Sequence, residues 1–337
     1  MMALLLGRGS AVEWLRRNRT IDVIQNRFAL PYDSLEGSRR QFERFAAEEL
    51  APLTRPIQLV VWKQEDRRRT AVTDCHVLNI ASGTYLAIRI SRLLYCSTPE
   101  LTFVQMANLL DEEQLLFLGM ELCGRFGIDD GLFLRPQTIT PGMLVAQAQE
   151  LPGVHGRSKA LAIAPRIIAG AASPMEIALA LILCIPREQG GYGLPRPELN
   201  HMLPVEGSAR LIWSEDHITP DLLWADAKLA IEYDSELHHT AAERIAHDAL
   251  RRNVLQELGY RVITVTTQHL RTPLQIERVT RAVALALGRE AELGDDEERA
   301  RRLSFQARMY HLGAHPEELL GILPHKKQPQ RSWHARR

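Results

Sequence analysis

The sequence predicts an α/β protein in which a mixed α+β N-terminal region precedes a C-terminal core of helix, mixed sheet with a β-hairpin meander, long helix and strand. Three observations lead there. The chain has 337 residues, 45% hydrophobic and 24% charged, which suffices for about two domains with buried cores. Short runs rich in β-branched and aromatic residues alternate with segments that open on helix-capping signals. After residue 173 the order becomes one apolar helix, several strand-like runs, a long amphipathic helix and a last strand.

In the first region, 1–127, residues 57–62 and 85–90 read as strands. The charged stretch 63–69 between them reads as a hairpin-like, solvated insertion despite its Arg67-Arg68-Arg69 triplet. Ser97-Thr98-Pro99-Glu100 has the S-x-x-E spacing of a capping box with proline in the first turn, and opens a helix over 101–110. Asp111 and Gln114 repeat the device for a second helix ending near Cys123-Gly124. Residues 128–172 read as a helical linker with helices over 142–151 and 156–169. The unit 173–290 then holds a helix over 174–184 and strands over 198–205, 209–215, 218–224 and 228–234. A helix over 241–258, capped by Thr240 and Glu243 and ended by Gly259, leads to a strand over 261–266 and a helix over 273–287. A helical extension and a basic tail, with Lys326, Lys327, Arg331, Arg336 and Arg337 and no acid, make up 291–337.

Composition excludes some classes. Lysine plus arginine (41) equals aspartate plus glutamate (41), so a phosphate-binding surface has to be local rather than global. Cys75, Cys96, Cys123 and Cys184 stand singly, which indicates neither a zinc site nor a disulfide framework and points to a reducing cytoplasm. The N-terminal Met-Met-Ala-Leu-Leu-Leu run is too short for a secretory signal, and the apolar run 177–185 is too short for a bilayer, so no membrane segment is expected.

The chemistry-bearing segment runs from Pro220-Asp221-Leu222-Leu223-Trp224 to Ile231-Glu232-Tyr233-Asp234. If 225–228 is a four-residue hairpin loop, Trp224 pairs with Leu229, and counting back sets Asp221 opposite Glu232. Two like charges so placed destabilise a sheet unless a cation joins them or one carries a proton. Alternation puts Asp234 on the same face as Glu232, so three carboxylates converge. A slip of one residue would instead separate Asp221 from Glu232 and leave solvated strand-end acids. A site with few carboxylates and room for water suits Mg²⁺ completed by phosphate oxygens, which points to phosphodiester chemistry.

His238-His239 follows and offers a general acid or base near neutral pH. Plain alternation from Glu232 selects His238, whereas a bend near Ser235 selects His239. On the long helix Asp248, Arg251 and Arg252 fall on the polar face, either as a solvated ion-paired surface or with Asp248 holding His239 or Arg251 and an arginine meeting phosphate. Glu176 lies in Ser173-Pro174-Met175-Glu176, itself a helix cap.

The order P-D-h-h-W, h-E-Y-D, x-H-H-T, D-x-x-R-R, strand resembles the restriction-endonuclease-like, or PD-(D/E)XK, superfamily. Within it, 173–270 is similar to the very-short-patch-repair endonuclease-like domain, and Tyr95-Cys96-Ser97-Thr98-Pro99-Glu100-Leu101-Thr102-Phe103 is similar to AbiEi-like abortive-infection antitoxins and regulators. The resemblance implies a restriction-endonuclease-like core that cleaves DNA with Mg²⁺ or Mn²⁺. It implies Asp221 and Glu232 as metal ligands with the Tyr233 carbonyl, His239 as the proton-transfer residue, and Glu176, Asp248 and Arg251 in support. Asp234 stands where that superfamily usually has lysine, a departure shared by the histidine-using branch. A toxin or other defence-system partner fits the antitoxin likeness. From Glu176 to Leu270, however, eight Lys or Arg stand against fourteen Asp or Glu, a sign opposed to DNA binding, so a non-catalytic DNA-binding regulator on the same fold is the rival reading.

Overall fold

The computed structural model describes residues 3–30, 50–80, 86–234, 242–290 and 294–321, and their architecture is mixed α/β. Strands β1 (Leu4–Leu6), β2 (Arg27–Phe28), β3 (Ile57–Val61), β4 (Thr73–Val77), β5 (Ala87–Arg89) and β6 (Leu94–Ser97) form one sheet in the order β2-β5-β6-β1-β3-β4. β1 lies inside this sheet, parallel to β6 and antiparallel to β3, and all three of its leucines are buried. A strand covered on both faces needs an unbroken apolar run rather than alternation, which is why Leu-Leu-Leu carries no strand signal of its own. The stretch 63–69 is not a hairpin, because β3 and β4 run parallel; a 3-10 turn, Gln64–Asp66, begins the crossover between them.

The helix Pro99–Ala107 starts two residues before the expected 101 and ends three before 110: Thr98, not Ser97, is its N-cap, while Ser97 is still paired in β6 and gives its hydroxyl to Leu6 O at 2.8 Å. Residues 96–103, most of the segment with the antitoxin likeness, are buried by this packing. Asp111 and Gln114 do form the expected capping box on the helix Glu112–Leu122. A hairpin of β7 (Phe126–Ile128) and β8 (Leu132–Leu134) leads to the helices Pro141–Gln149 and Arg157–Ile163. The second was expected to reach residue 169, but Pro165 turns its end into a 3-10 segment, Ala164–Arg166.

Beyond Ser173 the helix Pro174–Cys184 is buried nearly all round. It lies close against the helix Asp296–Ala314, where a Cβ on Gly313 would come within 2.7 Å of Met175 Sδ. The strands that follow are β9 (Glu198–Leu199), β10 (Leu203–Pro204), β11 (His217–Ile218), β12 (Leu222–Trp224), β13 (Leu229–Asp234) and, after the helix Ala242–Glu257, β14 (Arg261–Thr266). Four of them make a mixed sheet in the order β14-β13-β12-β9, and β10 pairs with β11 alone.

Three expected strands are corrected here. The run 198–205 is cut where Asn200 takes a left-handed φ of 48°. The run 209–215 is no strand, because Gly207 at φ 61° starts the 3-10 turn Gly207–Leu211 and Trp213 tucks its indole N–H onto His217 O at 3.0 Å. The run 218–224 breaks at Thr219-Pro220, proline having no N–H for a ladder. The hairpin register is the expected one, with Trp224 opposite Leu229 and Leu222 opposite Ile231. The helices Thr267–Arg271 and Pro273–Ala286 close the sheet's far end, and the C-terminal helices are Asp296–Ala314 and Glu318–Gly321.

Alternation along the hairpin divides two cores. Leu222, Trp224, Leu229 and Ile231 join the large cluster that runs from Leu4 to Leu320, while Leu223 and Ala230 pack with Val254, Leu255 and Tyr260 beneath the helix Ala242–Glu257. Glu232 is two residues from Ala230, so its side chain leaves the sheet on that helix's side. Among the described residues no helix is long and apolar enough to cross a membrane.

Because Leu5 is wholly buried in an interior strand, Leu5→Ala is expected to cost about 2–5 kcal/mol in urea unfolding. Leu285→Ala, at 71% exposure, is expected to stay within about 0.5 kcal/mol of wild type. Equal effects of the two changes would contradict the placement of β1.

Candidate functional site

The hairpin's open end gathers the acids. Carried one residue past Leu222 and Ile231, the ladder sets Asp221 against Glu232. Asp221 Oδ2 accepts the Tyr233 N–H at 2.6 Å, so the carboxylate replaces a ladder carbonyl and brings the Tyr233 main chain beside it. The Tyr233 hydroxyl lies 2.9 Å from Thr267 Oγ1, anchoring that end of β13 on the next helix.

Arg251 reaches the same spot from the helix Ala242–Glu257. Its Nη2 donates to Thr219 O at 2.8 Å and stands 3.2 and 3.1 Å from the two carboxylate oxygens of Glu232. The sequence suggested an Asp248–Arg251 contact as one option. Arg251 turns instead to Glu232, and Asp248 lies 3.9 Å from His247, with both side chains about half exposed. Asp234 ends β13 on the Glu232 face, paired in register with Thr266. His238 and His239 lie outside the described residues, as do Thr240 and the basic tail from His325 on.

Glu176 forms the helix cap its sequence position suggested. It begins the helix Pro174–Cys184, where Ser173 Oγ accepts its N–H and returns a hydrogen bond to Oε1 at 2.8 Å. Its Oε2 takes the Ala172 N–H at 2.8 Å and the Asn200 side-chain amide at 2.6 Å. Asn200 also donates its main-chain N–H to Asp221 O at 3.0 Å, and so links Glu176 to the strand bearing Asp221. Asn200 was not anticipated. Its signal was a residue tolerant of left-handed backbone at the end of a short strand, which reads as ordinary turn chemistry.

Three acids with one arginine among them cannot all ionise cheaply. Burial, then the charge of Asp221, lifts Glu176 to about 8. Burial, then Asp221, lifts Glu232 to about 7 against the pull of Arg251. Burial lifts Asp221 to about 6, although the Tyr233 N–H and Arg251 favour its charged form. An added cation would relieve this imbalance.

The residues fit Mg²⁺ in one particular way. Glu176 has donors on both oxygens and acts as a brace, so the ion would fall to Asp221 and Glu232, with Arg251 giving up its place on the two Glu232 oxygens. Among the described residues no group of three or more His, Cys, Asp or Glu is arranged to hold a metal. Mg²⁺ needs no such cage, since one or two carboxylates with waters and substrate phosphate suffice.

No family model matches the chain, and no solved structure matches it. Two curated sequences from Mycobacterium tuberculosis, the uncharacterized proteins MT2308 of strain CDC 1551 / Oshkosh and Rv2248 of strain ATCC 25618 / H37Rv, are each 30% identical over 128 residues. The match covers 38% of this chain and 38% of each relative, well under two thirds of their length.

The raised carboxyls make stability depend on pH with a definite sign. In the unfolded chain these acids ionise near their ordinary values, 3.8 for Asp221 and 4.5 for the glutamates, whereas in the fold they hold protons to about 6, 7 and 8. Their contribution is therefore complete below about pH 4 and is lost as pH rises through those folded values. In EDTA the wild-type melting temperature is expected to fall from pH 5.5 to pH 8.5 by more than that of an Asp221→Asn, Glu176→Gln double variant. An equal fall in both, by scanning calorimetry, would show that these acids are not held neutral.

Proposed function

We propose that the chain is a metal-dependent DNA endonuclease of the restriction-endonuclease-like kind. The observation that carries this reading is the convergence of Asp221 and Glu232 on the hairpin's open end, braced by Glu176 and short of positive charge. The arrangement of helix Pro174–Cys184, hairpin, helix Ala242–Glu257 and parallel strand β14 is compatible with the core that the motif order implies.

Asp221 and Glu232 would hold Mg²⁺ or Mn²⁺ there, with the Tyr233 main chain adjacent. Bound at that point, the ion supplies charge that polarises a phosphate and acidifies a water. The remaining work falls to the chain. Glu176 and Asn200 fix the strand that carries Asp221, and Arg251 orients Glu232. Hydrolysis adds a water oxygen to phosphorus, breaks the bond to the leaving sugar oxygen and moves the water's proton to a base. His239 is the base the resemblance assigns.

One observation favours the rival, a regulator that binds DNA on this fold without cutting it. Arg251 already lies against both oxygens of Glu232, as a positive charge does when it stands in for a metal.

Cleavage of supercoiled plasmid and of nicked, mismatched and single-stranded oligonucleotides separates the two. Wild type is expected to cut at least one of them with Mg²⁺ or Mn²⁺ and none with EDTA, and Asp221→Ala or Glu232→Ala to lower the rate at least about 100-fold. Both variants should keep the fold, since removing one of two opposed acids relieves repulsion, and titration calorimetry should lose the Mg²⁺ signal. A probe bound equally with and without metal and never cut would favour the regulator. Unchanged Mg²⁺ affinity in both variants would remove the hairpin as the metal site.

A further inference from the structure

We propose that the cleft on the outer side of β9 seats the phosphate backbone of the DNA strand entering the carboxylate site, with Arg125 and Arg196 as its phosphate-binding residues. The inference rests on the endonuclease reading and adds to it where the strand lies. The cleft has a volume of about 610 Å³ and is lined by Arg125, Arg196, Glu198, Asn200, His201 and Met202 among others. That size falls within the roughly 300–1,000 Å³ range of ligand clefts.

Asn200 is the wall that the cleft shares with the acids. Its amide is on Glu176 and its main-chain N–H is on Asp221 O, so one residue separates the cleft from the acids. Its carbonyl faces the other way and accepts from Arg125 Nη1 at 3.1 Å.

The two arginines are positioned yet not neutralised. Arg196 Nη1 donates to Pro165 O at 3.0 Å, and among the described residues neither arginine forms an ion pair with a carboxylate. Main-chain carbonyls orient a guanidinium fork and leave its charge and remaining donors for another partner, and phosphate is the anion such forks match. The cleft's own acid, Glu198, is paired with His201 Nδ1 at 2.6 Å. Met202, at 54% exposure, offers an apolar face at the cleft's mouth for a sugar or base. The segment from Glu176 to Leu270 carries a net excess of six acids, so these arginines, one of them from outside it, give DNA a local positive path that the average charge hides.

The test is fluorescence anisotropy of a labelled oligonucleotide that wild type cleaves. It uses the full chain, with Ca²⁺ in place of Mg²⁺, over a series of salt concentrations. Arg125→Gln and Arg196→Gln are each expected to weaken binding about 5- to 10-fold and to reduce the slope of log affinity against log salt by about one phosphate contact. Arg281→Gln, whose side chain is exposed and ion-paired to Glu277 at 2.8 Å, should bind as wild type does. Arg196 is itself exposed, so its variant keeps the result interpretable if Arg125→Gln unfolds. Cleavage by wild type with unchanged affinity and salt slope in Arg196→Gln would overturn the cleft and leave the endonuclease reading standing. No DNA binding or cleavage by wild type in any metal would overturn both.

Discussion

The Asp221 carboxylate sits where a backbone carbonyl belongs in a β-ladder, and the local structure is arranged around that substitution. By accepting the Tyr233 N–H it keeps β13 paired past the point where Pro220 ends the partner strand's own donors. A charge in that position is costly unless its surroundings answer it. Arg251 answers from one helix, burial and the Asp221 charge push Glu176 toward its neutral form, and Asn200 adopts a left-handed backbone to bridge Glu176 and Asp221.

Such a cluster persists only on a support that does not move. The large apolar core continues from the first sheet through the helix Pro174–Cys184 to the C-terminal helices, so the brace Glu176 starts from a helix held on all sides. Two polar contacts add to this support. Arg16 grips Glu121 with 2.7 and 2.8 Å hydrogen bonds and also donates to Pro316 O, joining the first helix, the helix Glu112–Leu122 and the approach to the last helix. Gln306, buried, donates to Leu270 O at 2.8 Å, fixing the long C-terminal helix to the segment just beyond β14. The hairpin is thus seated on a scaffold to which residues from both halves of the chain contribute.

What could be read from the sequence follows from where the deciding forces are local. The turn at 225–228 was legible because apolar residues on both sides restrict its register, and Lys228 in a left-handed conformation completes it. The Asp111 cap and the Glu176 cap were legible for the same reason, each being a contact within four residues. β1 was not, since an apolar triplet becomes a strand only by pairing with β3 and β6, far along the chain. The stretch 209–215 failed differently: its apolar residues look like a strand, but the backbone freedom of Gly207 and one long-reaching indole hydrogen bond decide for a turn. Asp221 and Glu232 could be paired from the sequence because the hairpin brings them together. Arg251, Glu176 and Asn200 meet them through tertiary packing, which residue spacing does not encode.

The same division bears on how an acidic site could accept an acidic substrate. On the proposed reading a phosphodiester approaching Asp221 and Glu232 directly meets repulsion, and Arg251 beside them is already engaged with Glu232. The missing positive charge has to come from beyond the cluster. On the proposed reading Arg125 and Arg196 supply it from across Asn200, which hydrogen-bonds to Glu176 and to the strand of Asp221. Because Asn200 hydrogen-bonds toward the acids with its N–H groups and toward Arg125 with its carbonyl, its orientation couples the two sides. A left-handed asparagine is suited to this post: its short amide tolerates that backbone, and its two polar ends and main chain let one residue face an acid and a base at once.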